Sequence, residues 1–213
     1  MMNVKIPLSI IMEQTPNPET MKFITNQVLL PAGKVLSFEQ AKYTDIAPLA
    51  KSLFTFPFVK QVLLADNYIS ITKQPFVLWE DILLEVRDYI YDYLRSGKPV
   101  VDLDLINRYW ADPKENTEKT SPITQEVTIQ HTVPKSETEQ KIIDILNEYI
   151  LPAVSQDGGF ITFEKYEEGT VYLKMQGACR GCPSSIYTLK AGIEALLKKM
   201  LPDEVKEVRS VDL

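Results

Sequence analysis

Histidine occurs once in the 213 residues, at His131, and cysteine twice, at Cys179 and Cys182. A Ser–His–Asp hydrolase or a multi-histidine metal enzyme would have to be built around that single imidazole, which leaves little room for either. Two cysteines cannot form a disulfide framework. A bridge between them would close so short a loop that chain entropy gains only roughly 2 kcal/mol, against about 4–5 for a long one. Reactive or ligating chemistry in a reducing compartment is the better reading. Long apolar runs are missing too, since no stretch nears the roughly 18–20 residues of a spanning helix. Pro7 and Ser9 interrupt the short apolar run at the N-terminus, and Lys5 is its only base, unlike a signal or transit peptide. The expectation is a soluble cytoplasmic protein with no membrane partner.

Basic residues are in deficit, 23 against 29 acids, for a formal charge of −6. Divided after Lys135, the chain carries −2 in the first part (14 basic, 16 acidic) and −4 in the rest (9 basic, 13 acidic). Neither half holds the cationic surplus that phosphate binding requires, so nucleic acid is not an expected partner. What is present is ordinary globular composition, and the length exceeds what one compact unit of about 100–150 residues needs. Two small domains are predicted.

The first spans residues 1–98. Ile6–Ile11 and Met21–Leu30 read as strands on either side of Thr15-Pro16-Asn17-Pro18, while Lys34–Asp45 reads as irregular or lightly helical. Ile46, Leu49, Ala50 and Leu53 share one helical face that Pro57 should stop. Val59–Ala65 and Tyr68–Lys73 form a hairpin about Asp66-Asn67, a pair that tolerates positive φ. Trp79, Ile82, Leu83, Val86, Tyr89, Ile90, Tyr93 and Leu94 recur at three and four residues, and Gly97 is placed to end that helix. Its tyrosines are read as core packing and snorkelling. Residues 99–135 are predicted to be a helical extension at Leu103–Trp110 followed by a linker. From Asp112 onward threonines sit among charges and prolines, with too little to bury to offset their own ordering, apart from brief strand character at Val127–Ile129. His131 falls in that linker and is expected to be solvated.

The second domain spans residues 136–213 in the order α-β-β-α-β. Ser136 and Glu139 form a capping box ahead of Ile142, Ile145, Leu146 and Tyr149, and Pro152 should close this helix. Asp157-Gly158-Gly159 is a turn needing positive φ, leading into the strand Phe160–Tyr166. Glu168-Gly169 turns the chain again into Thr170–Met175, and the acids of Glu164–Glu168 read as a solvated hairpin tip. Pro183 opens a helix with Ile186, Leu189, Ile193, Leu196, Leu197 and Met200 on one side, Lys198-Lys199 complementing its dipole. Val205–Val211 is a weaker strand. The fold class is α+β: two small α/β-sandwich-type domains joined by a linker.

Chemistry concentrates in Gly177-Ala178-Cys179-Arg180-Gly181-Cys182-Pro183-Ser184-Ser185. The two-residue gap lets both sulfurs face one soft metal centre, and Gly181 permits the bend between them. Cys182, just before Pro183, stands where a helix dipole favours thiolate, and Arg180 adds positive charge. An unperturbed thiol is only about 3% ionised at pH 7, whereas one lowered to about 7 is half ionised. A zinc site or an iron–sulfur cluster usually takes four protein donors. One chain has two cysteines and two chains have four, so a centre shared across a homodimer satisfies coordination. A thioredoxin-like dithiol pair and a zinc-bridged dimeric interaction module stand as alternatives.

At these residues the chain resembles the NifU-like (Nfu) iron–sulfur cluster scaffold and carrier family. In the C-terminal unit the resemblance rests on Asp157-Gly158-Gly159, the strand Val171–Gly177, the cysteine segment to Ser185, and Thr188-Leu189-Lys190 with Gly192-Ile193-Glu194. In the N-terminal unit it rests on Thr15-Pro16-Asn17-Pro18 followed by Met21-Lys22-Phe23. It implies an iron–sulfur cluster, 4Fe–4S in the first place and 2Fe–2S as the alternative, held by Cys179 and Cys182 of two protomers. The cluster would come from upstream assembly proteins and pass to apo-protein clients, with the first domain aiding client recognition or modulating transfer. That activity is not an enzyme's. The resemblance supplies no reading for Leu103–Trp110 or for the threonine-rich stretch.

Overall fold

The computed structural model describes residues 7–31, 34–41, 44–106, 131–180 and 183–211, with the backbone alone at 183–186. The first unit is built on an antiparallel sheet with strand order β1-β2-β5-β4-β3. Its strands are β1 (Ile10–Gln14), β2 (Thr20–Thr25), β3 (Leu36–Phe38), β4 (Val59–Ala65) and β5 (Tyr68–Lys73). Alternation sends Phe23, Leu36, Phe38, Val62, Leu64, Ile69 and Ile71 to one face, all of them fully buried. Helices α1 (Pro48–Leu53) and α2 (Trp79–Arg95) cover that face. Trp79, Ile82, Val86, Ile90, Tyr93 and Leu94 form the buried stripe of α2, with Glu80 and Asp81 in its first turn, Arg95 in its last, and Gly97 beyond it at φ +72°. Val101 and Ile106 complete the same core, and residues 103–106 are helical as expected. Residues 107–130, which include the rest of that extension and the predicted strand at Val127–Ile129, lie outside the described residues.

Four local expectations change: the first strand is Ile10–Gln14, sharing only Ile10 and Ile11 with the expected Ile6–Ile11, and the second ends at Thr25, not Leu30. Within Lys34–Asp45 the chain forms β3, because Leu36 and Phe38 flank Ser37 and both are fully buried. One repeat of period two is too short to stand out from irregular sequence. The β4–β5 turn does fall at Asp66-Asn67, yet neither residue takes positive φ; among the described non-glycine residues only Glu168 does. Main-chain bonds from Leu29 and Leu30 to the Asp66 carbonyl, and from Thr25 to that of Asn67, fix this turn from outside.

The second unit opens with α3 (Glu137–Ile145), whose Ser136 Oγ accepts from the Glu139 N–H at 3.1 Å. The Glu139 carboxylate reaches back to the Lys135 N–H, one residue before the donor a capping box uses. Pro152 does not close the helix. The chain passes through a π-helical turn at Leu146–Ile150 into α4 (Leu151–Gln156), where Pro152 occupies the first turn. The widened turn and a first-turn position both tolerate a residue without an N–H. Strands β6 (Gly159–Glu167) and β7 (Thr170–Gly177) pair antiparallel, and α5 (Pro183–Met200) returns the chain to β8 (Glu207–Ser210), parallel to β7. Ile142, Leu146, Ile161, Phe163, Leu173, Met175, Ile193 and Leu197 make its core. His131 is not solvated linker. Its Nδ1 accepts from the Phe163 N–H at 2.8 Å and its Nε2–H donates to Asn147 Oδ1 at 3.0 Å, tying β6 to the π turn.

The other face of the first sheet carries Lys22, Ser37, Gln61, Leu63, Ala65, Tyr68, Ser70 and Thr72. Alternation alone would leave it to solvent, yet all eight are buried. The second unit lies over it. Val35, Leu63, Ala65 and Tyr68 meet Phe160 in a small shared cluster, with Leu151 packed against it.

Candidate functional site

The cysteine loop leaves the end of β7 through Gly177, at φ +59°. The Ala178 N–H bonds the Gly158 carbonyl (3.3 Å), that of Cys179 the Gln176 carbonyl (3.3 Å), and that of Arg180 the Gly177 carbonyl (3.1 Å). Three successive main-chain bonds place Cys179 against its own domain core, 6% exposed. Its sulfur lies over Gly159: a Cβ built on that glycine would stand 2.2 Å from it. Gly158 has φ +76°, as its turn demands, but Gly159 is needed for space.

Burial pushes the Cys179 thiol up to about 12, the nearby Asp157 carboxylate adds to this, and the Phe160 N–H opposes it. In this structure Cys179 is a neutral thiol at physiological pH. Arg180, expected to add positive charge at the sulfurs, instead turns its guanidinium to Glu39 of the first unit. Gly181 and Cys182 lie outside the described residues, and α5 begins at Pro183 as read from the sequence. Among the described residues no group of three or more His, Cys, Asp or Glu could hold a metal ion. Cys179 also lines a cavity of about 380 Å³ between α4 and α5, with Ala153, Val154 and Leu189 as apolar walls and Pro16 of the first unit at its edge.

Sequence reasoning missed the residues that hold this loop from the first unit. Asn17, 2% exposed, donates from Nδ2 to the Arg180 carbonyl at 2.6 Å. Lys22 Nζ donates to the carbonyls of Ser155 (3.0 Å) and Gln156 (2.9 Å), the last of α4, and lies over the Tyr68 ring at 4.6 Å. A cation at the negative end of a helix is favourably placed; burial nevertheless lowers the ammonium pKa, against the pull of Glu13 and Asp157. Ser70 Oγ donates to the Gly158 carbonyl at 2.7 Å, and Tyr68 Oη to that of Gly159 at 3.4 Å. The available signal was a lysine between Met21 and Phe23, set by alternation on the face away from the first core.

Two family descriptions match separate stretches of the chain. Residues 10–97 match the family described as the scaffold protein Nfu/NifU N-terminal domain, and residues 142–209 match the NifU-like domain. The proteins named NFU1 iron-sulfur cluster scaffold homolog, mitochondrial, from Drosophila sechellia and Drosophila simulans are each 38% identical over 199 residues, covering 93% of this chain. The chain spans 63% of the length of these relatives. The solution NMR structure of a NifU-like protein from Saccharomyces cerevisiae is similar over 47% of this chain and 90% of its own, at 24% identity and a TM-score of 0.40. With both domain types present in order, the chain belongs to the Nfu/NifU family of iron–sulfur cluster scaffold proteins.

Proposed function

We propose that the protein is a carrier that takes up an iron–sulfur cluster as cargo between two protomers and passes it to apo-proteins. Cys179 and Cys182 of each chain would supply four thiolates, the donor number such a cluster takes. The 4Fe–4S form is the first expectation. The observation that carries the reading is the cysteine pair at a strand–helix junction in a chain of this scaffold family. The donor set suits a carrier, because each chain alone holds half of it and loosening the dimer frees the cargo. No substrate is turned over, so the protein is not an enzyme in this reading. Its partners are upstream assembly proteins and apo-protein clients. A cytoplasmic location belongs to the proposal; the relatives are named mitochondrial, and fractionation of the native host distinguishes the two compartments.

Anaerobic reconstitution with iron and sulfide tests this. The expected product is brown, with about four iron and four sulfide per dimer, and returns to monomer on chelation. Cys179→Ser and Cys182→Ser should each abolish it while leaving the helices folded, since their apolar stripes do not depend on sulfur. A colourless monomer with a titratable Cys179–Cys182 disulfide would overturn the carrier reading in favour of thiol exchange, and a colourless oxygen-resistant dimer in favour of zinc.

A further inference from the structure

Resting on the carrier reading, we infer that the first unit is an intramolecular cap on the cysteine loop, and that its undocking gates the loop's access to a second copy of the chain. The contact is directed. Asn17, Lys22, Tyr68 and Ser70 aim their donors at five main-chain carbonyls of the second unit, those of Ser155, Gln156, Gly158, Gly159 and Arg180. Arg180 is held twice, by its carbonyl on Asn17 and by its guanidinium on Glu39. The fit is close: a Cβ on Gly158 would come within 2.9 Å of Ser70 Oγ and 3.3 Å of Thr15 Cγ2.

The docked surface is polar enough to separate. Lys22 and Ser70, bonded to the second unit, stand beside the apolar contact of Leu63 and Phe160, in the manner of a transient interface more than of a core. Among the described residues Gln176 Oε1, buried on the strand beside Phe160, has no hydrogen-bond partner, and it would regain water on undocking. Two chains sharing one cluster must bring their cysteine loops face to face. That approach is taken here by Pro16, Asn17 and Glu39 of the same chain. Covalent connection gives the cap a high effective concentration, so a second protomer has to displace it.

The test uses the full chain and two substitutions on the first unit, Lys22→Glu and Glu39→Lys. Among the described residues, neither side chain bonds to Cys179. Hydrogen exchange of the α2 amides verifies that the first unit stays folded. Alkylation of cluster-free protein by iodoacetamide is followed at Cys179 itself, because trypsin cuts after Arg180 and separates it from Cys182. Both variants should alkylate Cys179 at least fivefold faster than wild type and load the cluster correspondingly faster. Unchanged Cys179 reactivity overturns the cap, and so does raised reactivity with unchanged or slower loading. If reactivity rises but neither wild type nor variants load any cluster, the docking stands and the carrier reading fails.

Discussion

The sulfur of Cys179 occupies the space that a side chain on Gly159 would fill, 2.2 Å from the Cβ position. The glycine pair therefore has two purposes: one residue turns the chain and the next makes room for the thiol. Gly159→Ala should push Cys179 off its seat and cost about 1–3 kcal/mol, as overpacking of a filled interior does. Urea unfolding reads the loss, and reconstitution should show impaired cluster uptake. An unchanged midpoint would mean that the thiol moves aside freely.

His131 gives the fold a pH dependence that can be isolated, since it is the only histidine in the chain. Its pKa is lowered by burial, with the Asn147 bond opposing. Folding therefore favours the neutral ring. Its stability contribution is full above the unfolded value near 6.5 and declines as pH falls below it. Protonation at Nδ1 would also remove the acceptor for the Phe163 N–H. The urea midpoint should drop between pH 7.5 and 5.5, and His131→Gln should flatten that slope. An equally steep slope in the variant would assign the effect elsewhere.

Tyr68 and Cys179 contribute on the alkaline side. Burial raises the phenol of Tyr68 to about 12, as it does the thiol of Cys179. Groups raised on folding stabilise fully below their unfolded values and lose that contribution as pH climbs through the folded ones, so stability should fall from about pH 9 to 12. Each group adds at most about 1.4 kcal/mol per pH unit. Denaturation at pH 8, 9.5 and 10.5 should show a shallower decline in Tyr68→Phe than in wild type. Identical slopes would remove Tyr68 from the account.

Ser136 starts the second unit, and its Oγ satisfies the Glu139 N–H. Ser136→Ala should cost about 1 kcal/mol, while Ser136→Asp should restore most of it. Thermal unfolding of the pair against wild type measures both.

Much of the architecture is legible locally. The stripe of α2, the hairpin of β6 and β7, and the start of α5 at Pro183 follow from periods and punctuation within a dozen residues. The cysteine segment is equally plain, because its glycines and proline mark a strand-to-helix junction before any fold is known. The π turn ahead of Pro152 was not readable, since a proline in an apolar stripe signals a stop and its first-turn role shows only once the helix is seen to continue.

The amino-acid sequence alone showed most of the elements, β3 and the π turn excepted, and the two sulfurs, since each rests on neighbours close in the chain. Tertiary structure alone decided what lies against the thiol. Asn17 and Arg180 are 163 residues apart, and Lys22 and Ser155 are 133 apart. Polar alternation on β2 and β5 states only that those side chains avoid the first core. Whether water or a second domain meets them depends on how the two units pack, and here the second domain buries them.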